Sequence, residues 1–157
     1  MSKKENEILA RELGKLGAIG GAVGGGIGGA LGGGLGAGLA AKLLPNDTFE
    51  LDIKIAAKPI DVLKATYGIL SQTGRITEGT EPPSDLPTLY AVVGSGFWNL
   101  NPAWVRVEIA PFLESTTKIS IRAAAKEGLI KQRAGEKAAK RIADLLNQAF
   151  SLSGARG

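Results

Sequence analysis

The chain contains no cysteine and no histidine. Without cysteine there is no disulfide, no thiolate nucleophile and no cysteine zinc site. Without histidine the commonest general base near neutral pH and the commonest metal ligand are both missing. The remaining candidates for chemistry fail on context. Gly94-Ser95-Gly96 lacks the Gly-x-Ser-x-Gly spacing of a nucleophile elbow. Chance matches to Gly-x-Gly-x-x-Gly in the glycine-rich region lack the preceding strand and the later acidic residue of a dinucleotide site. Asp47, Glu50 and Asp52 are acidic, but alternation sends Glu50 and Asp52 together to solvent. We therefore expect no enzyme activity, no catalytic residue, no cofactor and no metal.

Aromatic residues are scarce, at 5% of the chain. Four of the eight fall within 15 positions: Tyr90, Phe97, Trp98 and Trp104. They read either as packing or as anchors at an interface, with Phe97 and Trp98 the better placed for exposure.

Charge is present in both signs, with 19 Lys and Arg against 15 Asp and Glu, a net +4. The basic excess falls late, at Lys118, Arg122, Lys126, Lys131, Arg133, Lys137, Lys140 and Arg141, interrupted by Glu127 and Glu136. This is a solvated face or a patch for an anionic partner, with Lys131, Arg133, Lys137, Lys140 and Arg141 as candidate interface residues. Nucleic acid is the weakest such partner; it predicts strongly salt-dependent binding.

What the chain has in excess is glycine, 23 residues, crowded into the first quarter. Residues 16 to 41 contain only Gly, Ala, Val, Ile and Leu. Gly20, Gly24, Gly28, Gly32 and Gly36 fall four apart, as do Ile19, Val23, Ile27, Leu31, Leu35 and Leu39. A second row runs through Gly17, Gly21, Gly25, Gly29 and Gly33. Four apart is the neighbour spacing on a helix, so these rows are candidate helix-packing surfaces. Thirteen of the 23 residues from Gly17 to Leu39 are glycine. Each disfavours an aqueous helix by about 0.8–1 kcal/mol relative to alanine, so a solitary helix in water is excluded.

Three readings remain. The segment could be helical in a bilayer, where unpaired backbone groups enforce helix. As one tilted span it is long enough; as a hairpin hinged near Gly25–Gly26 or Gly32–Gly34 it would insert part way. It could pack as an oligomer in water, or serve as a flexible tether, although a tether needs no aliphatic residue at every fourth position. The drift of a four-residue row around the helix favours crossed pairs over a long left-handed coiled coil. Residues 17–39 resemble the glycine-zipper class of membrane segments, which implies close helix–helix contact. Ahead of them, residues 1–16 read as an amphipathic leader, with Ile8, Leu9, Leu13 and Leu16 among Glu5, Glu7, Arg11, Glu12 and Lys15. That mixture of charges does not suit a cleaved secretion signal.

From residue 46 to about 150 the pattern is that of one α+β domain. Phe49, Leu51, Ile53 and Ile55 alternate with polar residues as a strand. Pro59 opens a helix that Gly74 closes. Short strands follow near Ile76, over Leu89–Val93, over Val105–Ile109 and near Ile119–Ile121. A loop at 78–87 carries Pro82, Pro83 and Pro87, and a turn region spans 94–102. A helix runs from about Lys131 to Phe150, and residues 151–157 form a tail. The expected fold is α+β, a curved antiparallel sheet in β-α-β-β-β-β-α order with helices on one face. The stretch Thr117-Lys118-Ile119-Ser120-Ile121-Arg122-Ala123-Ala124-Ala125-Lys126-Glu127-Gly128, followed by Arg133 through Leu146, resembles the end of a small uncharacterised bacterial α+β domain family. The resemblance covers residues 49–148 and implies a fold but no residue roles.

Two functional expectations follow. The first is a membrane-associated protein that self-assembles through its glycine helices as a scaffold or pore-like homo-oligomer. It would sit at a bacterial inner membrane, with membrane lipid as partner and the α+β domain on the cytoplasmic side. A soluble cytoplasmic assembly is the other placement. The second expectation is a lipid or apolar-ligand binding module, tethered or covered by its N-terminal segment.

Overall fold

The computed structural model describes residues 3–78, 85–95, 101–127 and 132–154. Helix α1 (Lys3–Leu43) is followed by strand β1 (Asn46–Ile55) and helix α2 (Pro59–Thr73). Strands β2 (Gly74–Thr77), β3 (Thr88–Ser95), β4 (Asn101–Leu113) and β5 (Thr116–Lys126) come next, and helix α3 (Ala134–Gly154) closes the chain. The class is α+β, with the expected element order after residue 45.

The five strands form one antiparallel sheet in the order β1-β5-β4-β3-β2. The first strand therefore pairs with the last, Phe49 opposite Ala123 and Ile53 opposite Ile119. Helix α2 leaves one edge of the sheet and delivers the chain to the other. Alternation assigns the faces. Val105, Val107, Ile109, Ile119, Ile121 and Ala123 point inward, where Val62 and Leu70 of α2 and Ala138, Ile142 and Leu146 of α3 cover them. These side chains are buried and form the main core.

Local chemistry explains the ends of the elements. Helix α3 starts at Ala134, three residues later than the sequence pattern suggests, because two carboxylates cap it there. Glu127 accepts the amides of Gln132, at 2.5 Å, and Ala134, at 2.9 Å. Asp47 accepts the amide of Gly135 at 2.8 Å. These satisfy donors that a helix start leaves open. At the other end the helix continues to Gly154, past the expected boundary at residue 150. Pro102, expected in a turn, lies in β4 opposite Gly94. Gly74 does follow α2, but its φ of −171° is extended backbone. Its need for glycine is steric: a Cβ there would collide with the Val92 carbonyl oxygen of the neighbouring strand.

The glycine segment is helical, but it is not one straight rod. A straight helix would separate residues 17 and 37 by about 30 Å. Instead, a Cβ built on Gly17 would lie 2.5 Å from Ala37 Cβ and 2.6 Å from the Gly33 carbonyl oxygen. One built on Gly34 would lie 3.0 Å from Ala18 Cβ and 3.2 Å from the Gly14 carbonyl oxygen. Helix α1 therefore doubles back. Position 17 meets 33 and 37, and 34 meets 14 and 18, so the antiparallel register centres on residues 25–26. Of the two expected hinges, the register matches Gly25–Gly26; Gly33 and Gly34 face the first arm instead. A single tilted span is corrected accordingly. No helix among the described residues is long and apolar enough to cross a membrane.

Candidate functional site

The sheet has a second face, and α1 occupies part of it. On this outer face β3 presents Tyr90 and Val92, β4 presents Trp104 and Arg106, and β5 presents Arg122 and Ala124. Val92, Trp104 and Ala124 form a small buried cluster with Leu9 of α1, and Ile8 and Tyr90 pack at its edge. Tyr90 and Trp104 are tilted rings 5.8 Å apart. The leader, expected as a solvated or membrane-surface turn, is thus docked on the domain. Leu9 and the cluster beneath it exchange water for one another, which favours docking.

Electrostatics fix the position of that helix. Glu5 is fully buried and accepts from Arg122 Nη1 at 2.7 Å. Arg122 also donates Nε to Glu50 at 2.8 Å, and its guanidinium lies 5.9 Å from the Trp104 ring centre. Two turns further on, Glu12 bonds Lys15 at 2.9 Å and Arg75 of β2 at 2.8 Å. Partial burial opposes the charge on Glu12, but Lys15 and Arg75 outweigh it and hold the carboxyl below its ordinary range. Residues 5, 9 and 12 lie on one helix face, and that face meets the sheet.

The adjoining face of α1 carries Lys4, Glu7, Ile8 and Arg11, at i, i+3, i+4 and i+7. With Arg75, Ile76, Thr77 and Glu78 it lines a groove of about 730 Å³ between α1 and the edge strand β2. Ile8 and Ile76 supply its apolar surface. Lys4, Arg11 and Arg75 bring three cations to it against Glu7 and Glu78. The Thr77 hydroxyl oxygen is buried without a hydrogen-bond partner. The groove's volume falls in the range of about 300–1,000 Å³ that small ligands occupy, while its lining is mostly polar, with Ile8 and Ile76 the two apolar residues. A second cleft of about 280 Å³ among Glu50, Asp52, Arg106, Glu108, Ser120 and Arg122 is different. Its charges are paired: Arg106 with Glu108 at 2.6 Å, and Lys118 with Asp52 at 2.9 Å. Lys118 and Ser120 hold the Asp52 carboxyl low. It is a solvated ion-pair lattice, as the alternation of Glu50 and Asp52 implies.

The expected site residues fall elsewhere. Gly33 of the second glycine row packs against Gly17 of the same row. Gly32 and Gly36 of the first row have open space where a Cβ would stand. The surroundings of Gly20, Gly21, Gly24, Gly25, Gly28 and Gly29 lie outside the described side chains. Phe97, Trp98 and Lys131 lie outside the described residues. Arg133, Lys137, Lys140 and Arg141 are exposed on and beside α3. Glu136 pairs with Lys140 at 2.7 Å and Arg133 at 3.6 Å, which reduces the basic face. Those four are not brought to the groove. Among the described residues, no group of three or more acidic side chains could hold a metal ion.

The groove itself escaped the sequence reading, because it joins α1 to a four-residue strand. A signal for the docking existed. Tyr90-Ala91-Val92-Val93, Trp104-Val105 and Ala123-Ala124-Ala125 are apolar at consecutive positions, which marks strands covered on both faces.

No family model matches the sequence, and no curated protein matches it. Solved structures give partial overlays. A conserved protein from Geobacillus kaustophilus overlays at a TM-score of 0.42 and 15% identity, covering 71% of this chain and 96% of its own. A START superfamily protein from Mycobacterium smegmatis gives 0.39 and 11%, covering 67% and 97%. Ara h 8.0201 gives 0.38 and 12%, covering 69% and 99%. Overlays of this extent leave the functional reading to the residues of the groove.

Proposed function

We propose that this protein is a non-enzymatic binding module for a small anionic amphiphile, held between α1 and β2. One observation carries the reading: the groove of about 730 Å³ that places Lys4, Arg11 and Arg75 around Ile8 and Ile76. An apolar body would lie along the two isoleucines. A carboxylate or phosphate head would meet the cations. Arg75 is pre-oriented by Glu12, which leaves other guanidinium donors for a bidentate contact. The Thr77 hydroxyl, unpartnered at present, would gain an acceptor.

This reading develops the ligand-module expectation, and the N-terminal helix becomes one wall of the site. A scaffold or pore has less support. Gly17 and Gly33 already pack against each other within one chain.

The test is titration of the full chain with a fluorescent long-chain fatty acid. The native protein should bind saturably. Arg75→Glu and Ile76→Glu should each weaken binding at least about tenfold, equivalent to about 1.4 kcal/mol. Native-like affinity in both variants would overturn the proposal, and so would the absence of saturable binding.

A further inference from the structure

The second arm of α1 presents an apolar face that no described residue covers. Gly32, Leu35, Gly36, Leu39 and Ala40 are all exposed, at i, i+3, i+4, i+7 and i+8. Leu35 is 70% exposed and Leu39 65%. Residues 33, 34 and 37 face the first arm instead. Ala22 of the first arm is exposed as well.

Charge and length identify what covers this face. The run of residues 16–41 carries no charge and is bounded by Lys15 and Lys42. With the register centred on residues 25–26, the hairpin extends about ten residues beyond Lys15. That is about 15 Å at the helical rise, half of a hydrocarbon core about 30 Å thick. The hairpin is therefore too short to cross a bilayer and matches one leaflet. Below it, Arg11 and Lys15 are exposed, about 6 Å apart along the axis, at the level of a headgroup layer. Glu5 is buried against Arg122 and Glu12 is held by Lys15 and Arg75, so Glu7 is the one acidic residue exposed on this arm. Within each arm of the hairpin the backbone groups are internally bonded, which a bilayer interior demands. Glycine-rich arms that are poor helices in water become enforced there.

We infer that the α1 hairpin inserts into a single leaflet of an anionic bilayer, holding the domain at the surface. The Leu35–Leu39 face meets acyl chains, and Arg11 and Lys15 meet phosphate headgroups. The inserting surface is residues 16–41, outside the ligand groove, while Arg11 is common to the groove and the headgroup contact.

The experiment is flotation of the full chain with vesicles of phosphatidylglycerol and phosphatidylcholine. The protein should float with them, and should float several-fold less with pure phosphatidylcholine. Leu35→Lys with Leu39→Lys should reduce flotation on anionic vesicles at least about tenfold. Both positions are exposed, so circular dichroism of the variant should match the native protein. Three results would overturn the inference: native protein left unbound by anionic vesicles, a double variant that floats as well as native, or flotation lost in high salt although the vesicles remain intact. A fourth would replace lipid with a second copy: native protein dimeric without lipid, the double variant monomeric, and neither bound to vesicles.

Discussion

Arg122 on β5 and Glu5 on α1 meet at 2.7 Å across 117 positions of sequence, with Glu5 fully buried. This pair decides where the N-terminal helix sits on the sheet. It also fixes one wall of the groove, since Lys4, Glu7 and Ile8 flank Glu5 on the same helix. A buried ion pair stabilises little in itself, but removing one partner strands the other.

Arg122→Ala is therefore expected to destabilise the protein by about 3–5 kcal/mol, because it removes a hydrogen-bonded countercharge from the fully buried Glu5. Adding Glu5→Ala should recover part of that loss. Urea unfolding of the two single variants and the double variant checks this. A double variant less stable than Arg122→Ala alone contradicts it.

The glycine rows should respond unequally. Gly17→Leu collides with Ala37 and Gly33 and should break the hairpin. Gly32→Ala enters open space and should raise helicity, gaining up to about 1 kcal/mol from propensity. Circular dichroism and thermal melting distinguish them. Equal effects of the two changes would show that the arms do not meet at Gly17 and Gly33.

The contact between α1 and β2 should weaken in acid. Glu12 has its carboxyl held below the ordinary range. A depressed carboxyl adds stability above its ordinary pKa and loses it as pH falls through the depressed value. The contribution is about 1 kcal/mol or less for so accessible a cluster. The urea-midpoint gap between native protein and Glu12→Gln should therefore be full at neutral pH and shrink below the ordinary glutamate range. A gap independent of pH is the contrary result.

The absence of cysteine makes the fold of α1 measurable. Spin labels at Arg11→Cys and Ala40→Cys, both exposed positions, would be unique sites. Neighbouring helix axes lie about 8–10 Å apart, whereas a straight helix would separate these positions by about 44 Å. A short distance distribution is expected; a long one contradicts the hairpin.

Much of the domain was legible from alternation. Phe49, Leu51, Ile53 and Ile55 read as an inward-facing strand, and Ala138, Ile142 and Leu146 as the buried face of α3. The pairing of β1 with β5 was not legible, because register between distant strands leaves no mark on either one. The four-residue glycine spacing announced close helix contact but not its partner. Which row packs depends on where the chain turns, and glycine permits a turn at many points. The groove stayed hidden for a related reason. Ile8 reads only as part of an amphipathic leader until the burial of Glu5 places that helix on the sheet.

The most direct measurement is photo-crosslinking with a diazirine fatty acid, followed by peptide mapping of the intact chain. Saturable labelling within residues 4–11 and 75–78, suppressed by unlabelled fatty acid and by Arg75→Glu, is the predicted result. Competed labelling confined to the inner core between α3 and the sheet, at residues such as Ile142 or Val107, would contradict it.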